Sequence, residues 1–183
     1  MDILKYMGKR KAAIEKYISG RIRLYGSRVL DSPEFGNTAD EVHHRHSSLE
    51  DHTLNVTIAG AKLCRRLNKM HIDVDEKDVI QASLCHDLGM IDRDEKYDTD
   101  KDAWKRHPAE SVKSARRLLP GMSRRAESII LTHMWPICGE RPRSREAVVV
   151  SIADKYASVI DWVGFFIGHD YKKNIKSLIK ARA

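Results

Sequence analysis

The amino-acid sequence predicts an all-α protein, a single-domain helical bundle of about seven helices. Apolar residues recur at helical spacing along much of the 183-residue chain. Sustained apolar–polar alternation and the Asn-Gly or Asp-Gly dipeptides of tight hairpins are missing from the sequence. Several apolar segments are also bounded by residues typical of helix ends. The 42% hydrophobic and 32% charged fractions indicate a folded globular protein and not a disordered one.

The first part of the chain predicts two helices with a loop between them. One helix is expected to run through the first 20-odd residues, and the Pro, Gly, Asp and Asn content of residues 31–37 predicts a loop. Ser47 and Glu50 have the spacing of a capping box, in which the serine side chain caps the helix start and the glutamate reaches back. The second helix therefore begins here and holds His52 in or near its first turn.

A third helix is expected to begin at Asp75, a residue type that caps helices, and to reach His86 and Asp87. Gly89 is well placed to end this helix. Adjacent residues on a helix do not share a face, so an ordinary salt-bridge pattern does not explain the His-Asp pair.

Three further helices are predicted in the second half of the chain. His107 and Pro108 predict a helix start, because proline is favoured at the first helical position. That helix is expected to end at residues 120–121, and the next to cover about 123–134. The last long helix follows residue 144 and contains Asp154 among apolar residues.

Composition and charge indicate the expected cellular compartment and the expected class of binding partner. The formal charge of +7 and the pI of about 9.3 favour an anionic partner. Three cysteines without a CxxC motif indicate reduced thiols, and the first residues lack the apolar core of a signal peptide, so a cytoplasmic protein is expected. The apolar stretch 147–168 is interrupted by Asp154, Lys155 and Asp161, which predicts a buried helix and no membrane span.

Histidines and aspartates stand at helix ends or inside apolar helices. Buried imidazoles and carboxylates need partners, and Asp154 has only small or apolar helical neighbours. Imidazole nitrogen and carboxylate oxygen are also the ligands of first-row transition metals. Spacing alone leaves two alternatives open, a metal site or separate hydrogen-bonded core residues. No short ligand motif such as HExxH decides between them.

The order of these residues resembles the HD-domain superfamily of metal-dependent phosphohydrolases, in particular small stand-alone bacterial HD proteins. The stretches DHTLNV (His52), LCHDLG (His86 and Asp87) and SIADKY (Asp154) follow the pattern of that superfamily. KRHPAE (His107) and ILTHMWP (His133) resemble two further histidines of its two-metal members. The similarity covers about residues 46–160, so that an HD-like core with helical extensions at both ends is expected within one domain, 1–183.

The resemblance implies a metal-dependent phosphohydrolase acting on a phosphomonoester or phosphodiester, with a nucleotide among the candidate substrates. It implies two divalent transition-metal ions, with iron, manganese, zinc and nickel as candidates. His52, His86, Asp87 and Asp154 would bind the first ion, and Asp87 would bridge to a second ion completed by His107 and His133. Two such ions about 3.5–4 Å apart can activate a hydroxide, orient a phosphate and stabilise transition-state charge.

The sequence also departs from the family pattern. Many members have a phosphate-binding lysine after the glycine of the HD segment, where this chain has Met90. Lys96 is a candidate replacement with a catalytic role, and Arg93 is a candidate phosphate ligand. The further candidates are histidines as proton donors and arginines as phosphate ligands: His44, His46, Arg141 and Arg143. Solvated surface positions are the alternative for these residues.

Two other functions remain as hypotheses. A non-catalytic HD-fold module would sense a nucleotide or bind a partner without turnover, and the missing lysine keeps this alternative open. A nucleic-acid-binding helical domain, suggested by the basic ends of the chain, is the least favoured. The sequence does not determine the oligomeric state.

Overall fold

The computed structural model describes residues 3–43, 47–167 and 173–181. Within these ranges lie nine α-helices, one 3-10 helix and one short antiparallel β-ladder. In chain order these are α1 (Ile3–Leu30), α2 (Pro33–Asn37), β1 (Val42–His43), β2 (Ser47–Ser48), α3 (Leu49–Lys69), α4 (Glu76–Cys85), the 3-10 helix (Leu88–Met90), α5 (Arg93–Lys96), α6 (Asp100–Leu118), α7 (Arg124–Thr132), α8 (Arg145–Ile167) and α9 (Lys173–Lys180). The predicted all-α class is confirmed, and the helix number roughly matches the prediction.

Side-chain caps set the starts of the helices that hold the candidate site. The Ser48 hydroxyl accepts a hydrogen bond from the Asp51 N–H at the start of α3, at 3.1 Å. Asp75 accepts one from the Asp78 N–H at the start of α4, so the predicted cap at Asp75 is confirmed. The predicted cap at Ser47 is wrong by one residue, because Ser47 lies in β2 and Ser48 caps α3.

Helix α6 begins earlier than predicted, and the predicted start at residues 107–108 is wrong. The Thr99 hydroxyl accepts from the Asp102 N–H at 3.1 Å and caps the helix there, which leaves the proline inside α6. A proline inside a helix has no N–H for the carbonyl four residues earlier, here that of Trp104. The Cys138 thiol instead donates to this carbonyl, at 3.4 Å. A contact from a distant loop therefore compensates part of the cost of the internal proline.

Residues 31–37, predicted as a loop, contain the short helix α2. The Ser32 hydroxyl accepts from the Phe35 N–H at 3.1 Å, and Pro33 occupies the first helical position. Phe35 is buried and belongs to the apolar core. A local cap and one buried aromatic side chain thus stabilise a helix in a segment whose composition favours a turn.

The core surrounds α3, which packs against α4 and α8 and also contacts α1. Apolar side chains from most of the long helices form one buried cluster, and α9 packs on α1 at its edge. Fully buried members of this cluster include Ile18, Ile22, Leu54, Ile58, Ile80, Leu84, Ile129, Ile130 and Ile179. This packing holds the polar side chains of α3, α4, α6, α7 and α8 at fixed distances from one another.

Over residues 145–162, whose side chains the structure describes, helix α8 is buried on one side, so the prediction of a buried helix holds in part. Val150, Ala153 and Ala157 are buried, whereas Ile152 and Val159 on the other side are largely exposed. Among the described residues, no helix is both long enough and apolar enough to cross a membrane.

Candidate metal centre

Six side chains from five helical elements meet inside the bundle. Each lies at a helix end or on a buried helix face, and all six are buried: His52, His86, Asp87, His107, His133 and Asp154. The pair at 86–87 follows the last residue of α4, so the two side chains are not held to separate faces of a helix. His86 and Asp87 can therefore face the same centre because α4 has already ended at Cys85.

His52, His86 and Asp154 form the first group. The His52 Nε2 lies 3.2 Å from the Asp154 Oδ1. One ligand atom from each of the three residues lies within 4.8 Å of the others, close enough for all to reach one cation. Since α3, α4 and α8 pack directly on one another, this group is fixed by the core.

Asp87 lies between this group and a second one. Its Oδ2 is 3.1 Å from the His86 Nε2 and 3.9 Å from the His52 Nε2. Its Oδ1 faces the other way, 3.2 Å from the His107 Nε2 and 3.4 Å from the His133 Nε2. These last two nitrogens are 3.1 Å apart. The two oxygens of one carboxylate thus face two different sets of imidazoles.

Backbone carbonyls orient three of the imidazoles. The Nδ1 atoms of His86, His107 and His133 donate to the carbonyls of Ser83, Ala103 and Ile130, at 2.8, 2.8 and 2.6 Å. Each carbonyl is three or four residues earlier in the chain, so the local helical backbone supplies the acceptor. A proton held at Nδ1 leaves Nε2 of the neutral ring as the ligand atom, which is the arrangement around metal-binding histidines.

A carboxylate orients the fourth imidazole. The His52 Nδ1 donates to the Asp161 Oδ2 at 2.9 Å, and the Asn55 side-chain amide donates to the other oxygen of Asp161 at 2.5 Å. The side chain of Asp161 is only 6% exposed. A carboxylate behind a histidine raises the basicity of the ring and fixes its direction. Sequence reasoning missed this role of Asp161.

Lys155 is a second residue whose place was not foreseen. Its ammonium group donates to the Asp154 Oδ2 at 2.9 Å and to the backbone carbonyl of His133 at 2.5 Å. It therefore connects a carboxylate of the first group to the backbone of the second. The contact also leaves the Asp154 Oδ1 directed at His52.

Electrostatics favour ionised carboxylates at this centre. Burial lowers the pKa of His52, but hydrogen bonds from the ring to Asp154 and Asp161 outweigh burial and raise the pKa to about 10. Burial alone would raise the pKa of Asp87, yet the surrounding imidazoles lower it well below its ordinary value. Burial lowers the pKa of His133. The ring protons of the metal-free protein and a cation would compete for the same Nε2 atoms.

The spacing of the donor atoms fits cation binding. Two ligands bound at about 2.1 Å to one ion are about 3.0 Å apart at an octahedral angle and about 3.4 Å apart at a tetrahedral one. Five of the contacts between these donor atoms are 3.1–3.4 Å, whereas the His52 Nε2 is 3.9 Å from the Asp87 Oδ2 and the ligand atoms of His52, His86 and Asp154 lie within 4.8 Å of one another. In addition, the buried His86 Nε2 makes no well-aligned hydrogen bond among the described residues, although it lies 3.1 Å from the Asp87 Oδ2. The residues present therefore fit the binding of divalent cations.

The structure does not bring the other predicted site residues into contact with the six buried side chains. His44 and His46 lie outside the described residues. Among described contacts, Arg93 pairs with Asp94 and Asp100, and the Lys96 ammonium group donates to the Ile91 carbonyl. Arg141 and Arg143 are exposed. No described ion pair or hydrogen bond joins these four basic residues to the six buried side chains of the candidate centre, so their predicted roles stay predictions.

Comparison with known proteins gives one match. The model of the HD domain family matches residues 49–158, which is more than half of the chain and contains all six buried side chains of the candidate centre. No curated protein and no solved structure matched the chain.

Proposed function

The chain belongs to the HD domain family, whose members are mostly metal-dependent hydrolases, and we propose that it is a two-metal phosphohydrolase acting on a phosphorylated small molecule. The bond cleaved would be a phosphomonoester or a phosphodiester. The observation that supports this proposal best is the position of Asp87, whose two oxygens face two separate imidazole groups.

In the proposal, each group of side chains holds one divalent cation. His52, His86 and Asp154 would hold the first, and His107 and His133 would hold the second. Asp87, which contacts both sets of imidazoles, would help to hold both. The ligand chemistry suits iron, manganese, zinc or nickel. When bound, the cations supply an activated water and neutralise the charge of the phosphoryl group.

The side chains around the ligands keep this geometry fixed. Lys155 occupies the outer oxygen of Asp154, so the inner oxygen stays directed at the first group. Asp161 holds the His52 ring, and the backbone carbonyls hold the other three rings. Such support reduces the reorganisation needed when the phosphate binds.

We also infer that the whole chain is one domain, with an HD core over about residues 46–160 and helical extensions at both ends. Ile18 and Ile22 of α1 and Ile179 of α9 belong to the same buried apolar cluster as the core helices. Their burial supports a single cooperative unit.

The proposal is tested by elemental analysis of the purified protein, followed by phosphate-release assays with added manganese, iron or nickel. We expect about two equivalents of transition metal and hydrolysis of at least one class of phosphate ester. Bound metal with nucleotide binding but no turnover would instead indicate the non-catalytic sensing module. Salt-dependent binding of DNA or RNA, unaffected by removal of the metal, would indicate a nucleic-acid-binding domain.

The Asp161→Asn protein is expected to bind the first cation about 10–100-fold more weakly. The amide can still accept from the His52 ring, but its own N–H₂ group would then face the amide of Asn55. The ring therefore loses the negative charge that raises its basicity. Calorimetric metal titration measures the effect, with affinity for the second cation expected to change less.

Glu127→Gln is the matched control for this change. This variant also loses a hydrogen-bonded carboxylate. The partner of Glu127 is Arg116, which lies at the surface, away from the centre. We expect metal affinities within two-fold of the unmodified protein. Equal first-cation affinities in the Asp161→Asn and unmodified proteins would refute the role assigned to Asp161.

A further inference from the structure

Lys155 places a positive charge directly against the candidate metal centre. It follows Asp154 on α8, and its ammonium group donates to the Asp154 Oδ2 at 2.9 Å and to the His133 backbone carbonyl at 2.5 Å. The other oxygen of Asp154 lies 3.2 Å from the His52 Nε2. The ammonium group is thus one carboxylate away from the first group of side chains, and it also contacts a residue of the second group.

The side chain of Lys155 lies where the buried centre is most open to solvent. It is 29% exposed, whereas the side chains of Asp154 and Asp87 are 11% and 7% exposed. The four imidazole side chains of the centre are 3% exposed or less. The most exposed of the six side chains, Asp154, is therefore the one that Lys155 binds. A molecule that enters from solvent meets the ammonium group beside this carboxylate.

The ammonium group of Lys155 has donor capacity left. A lysine ammonium has three N–H donors and no acceptor. The described contacts use two of them, one to the carboxylate of Asp154 and one to the carbonyl of His133. Hydrogen bonds from an ammonium group are strongest to a charged acceptor, and a phosphate offers several charged oxygens. The third N–H can therefore donate to a phosphate at the centre while both existing contacts are kept.

The charge of the centre favours the same kind of ligand. The carboxylates described there are those of Asp87, Asp154 and Asp161. Two divalent cations would exceed their negative charge by one, and the ammonium group of Lys155 raises the excess to two positive charges. A phosphate dianion neutralises an excess of this size. The attraction is stronger at a buried site than in bulk water, because the effective dielectric constant is lower.

We propose that Lys155 is a catalytic residue that donates its third N–H to an oxygen of the phosphoryl group of the substrate. The inference rests on the proposed function, because it takes the phosphate to bind at the six buried side chains. A lysine that only orients Asp154 would be a positioning residue, and its loss would weaken cation binding. A phosphate contact predicts instead that the affinity for phosphate falls while both cations stay bound.

The test compares Lys155→Met with the unmodified protein. Methionine keeps much of the length of the side chain but has no charge and no N–H. Calorimetric titration with manganese measures the cation affinity, and titration of the manganese-loaded protein with inorganic phosphate measures the phosphate affinity. We expect phosphate to bind about 10–100-fold more weakly to the variant, the usual effect of losing a hydrogen bond to a charged group. The affinity for manganese should stay close to that of the unmodified protein.

Lys155→Arg keeps the positive charge and the N–H donors, so it should restore most of the phosphate affinity. Lys113→Met is the matched control, because Lys113 also pairs with a carboxylate, that of Glu110 at 2.8 Å, but on the surface of α6. This control should change neither affinity.

Three results would overturn the inference. The first is an unmodified protein that binds no phosphate in the presence of manganese. The second is an unchanged phosphate affinity in Lys155→Met. The third is a parallel loss of phosphate and manganese affinity in that variant, because Lys155 would then serve only to orient Asp154.

The outcomes separate this inference from the proposed function. Phosphate binding that depends on Lys155, without phosphate release from any ester, would support the phosphate contact and contradict the hydrolase. Ester hydrolysis by Lys155→Met with the KM and kcat of the unmodified protein would support the hydrolase and contradict the phosphate contact.

Discussion

Asp87→Asn is expected to abolish binding of both cations and to lower phosphate release at least about 1,000-fold. Asp87 is the one proposed ligand shared by the two groups, with Oδ2 at 3.1 Å from His86 and Oδ1 at 3.2 Å from His107. An amide has one carbonyl oxygen and carries no negative charge. Its N–H₂ group would face one set of imidazoles and repel the cation there.

Thermal unfolding gives a readout that does not depend on the substrate. Cation at about 1,000 times its dissociation constant stabilises the folded state by about 4 kcal/mol. For a chain of this size that corresponds to a rise in Tm of roughly 8–16 °C. We expect such a rise for the unmodified protein on adding manganese, and little or none for Asp87→Asn.

Asp73→Asn is the control for the loss of one carboxylate. Asp73 is exposed and lies in the connection between α3 and α4. Its removal should leave metal content, the metal-dependent rise in Tm and phosphate release unchanged. An Asp87→Asn protein with two bound cations and a rate within ten-fold of normal would contradict the bridging role.

The set of six candidate ligands came from the resemblance to the HD family, and local sequence signals predicted where some of them lie on the helices. The cap at Asp75 and the apolar run after it place His86 and Asp87 at the end of α4, where the structure has them. The capping signal before α3 likewise placed His52 in the first turn, although the cap itself is Ser48. Short-range rules of this kind decide which residues stand at helix ends.

Contacts between distant segments could not be predicted in the same way. Asp161 and Asp154 are seven residues apart, which is two turns on one face of α8, and this spacing was the available signal for a second carboxylate beside His52. The start of α6 was mistaken because a proline usually marks a helix start, whereas the Thr99 cap and the distant Cys138 thiol allow it inside. Both features depend on partners that local patterns do not reveal.

Gly89 was predicted to end α4, but the structure gives it a packing role. It does not end α4, which stops at Cys85, and it lies in the 3-10 helix that follows the His-Asp pair. A Cβ at this position would be 2.9 Å from the Ser111 backbone nitrogen and closer still to the His107 carbonyl oxygen. Both atoms belong to the backbone of α6, which cannot move aside as a flexible side chain does. Glycine therefore permits the close approach of α6 to the segment that carries Asp87.

Gly89→Ala is consequently expected to destabilise the protein and to separate the two halves of the metal centre. Overpacking of this kind costs about 1–3 kcal/mol, or a Tm lower by roughly 2–12 °C. Relief of the clash requires the 3-10 helix and α6 to move apart, which lengthens the 3.2 Å contact between Asp87 and His107. The second cation should then be lost first, so metal titration should show about one equivalent where the unmodified protein binds two.

Gly20→Ala adds the same methyl group where it meets no atom within 4 Å, in the middle of α1. Because alanine favours helices over glycine, this control should raise the stability by about 0.5–1 kcal/mol and leave both cations bound. If Gly89→Ala kept two cations and a normal Tm, the approach of α6 would not determine the geometry of the second group. If it lowered the Tm but kept both cations, the glycine would serve packing alone. Loss of the second cation together with the lower Tm is the result that links the fold at this glycine to the chemistry of the centre.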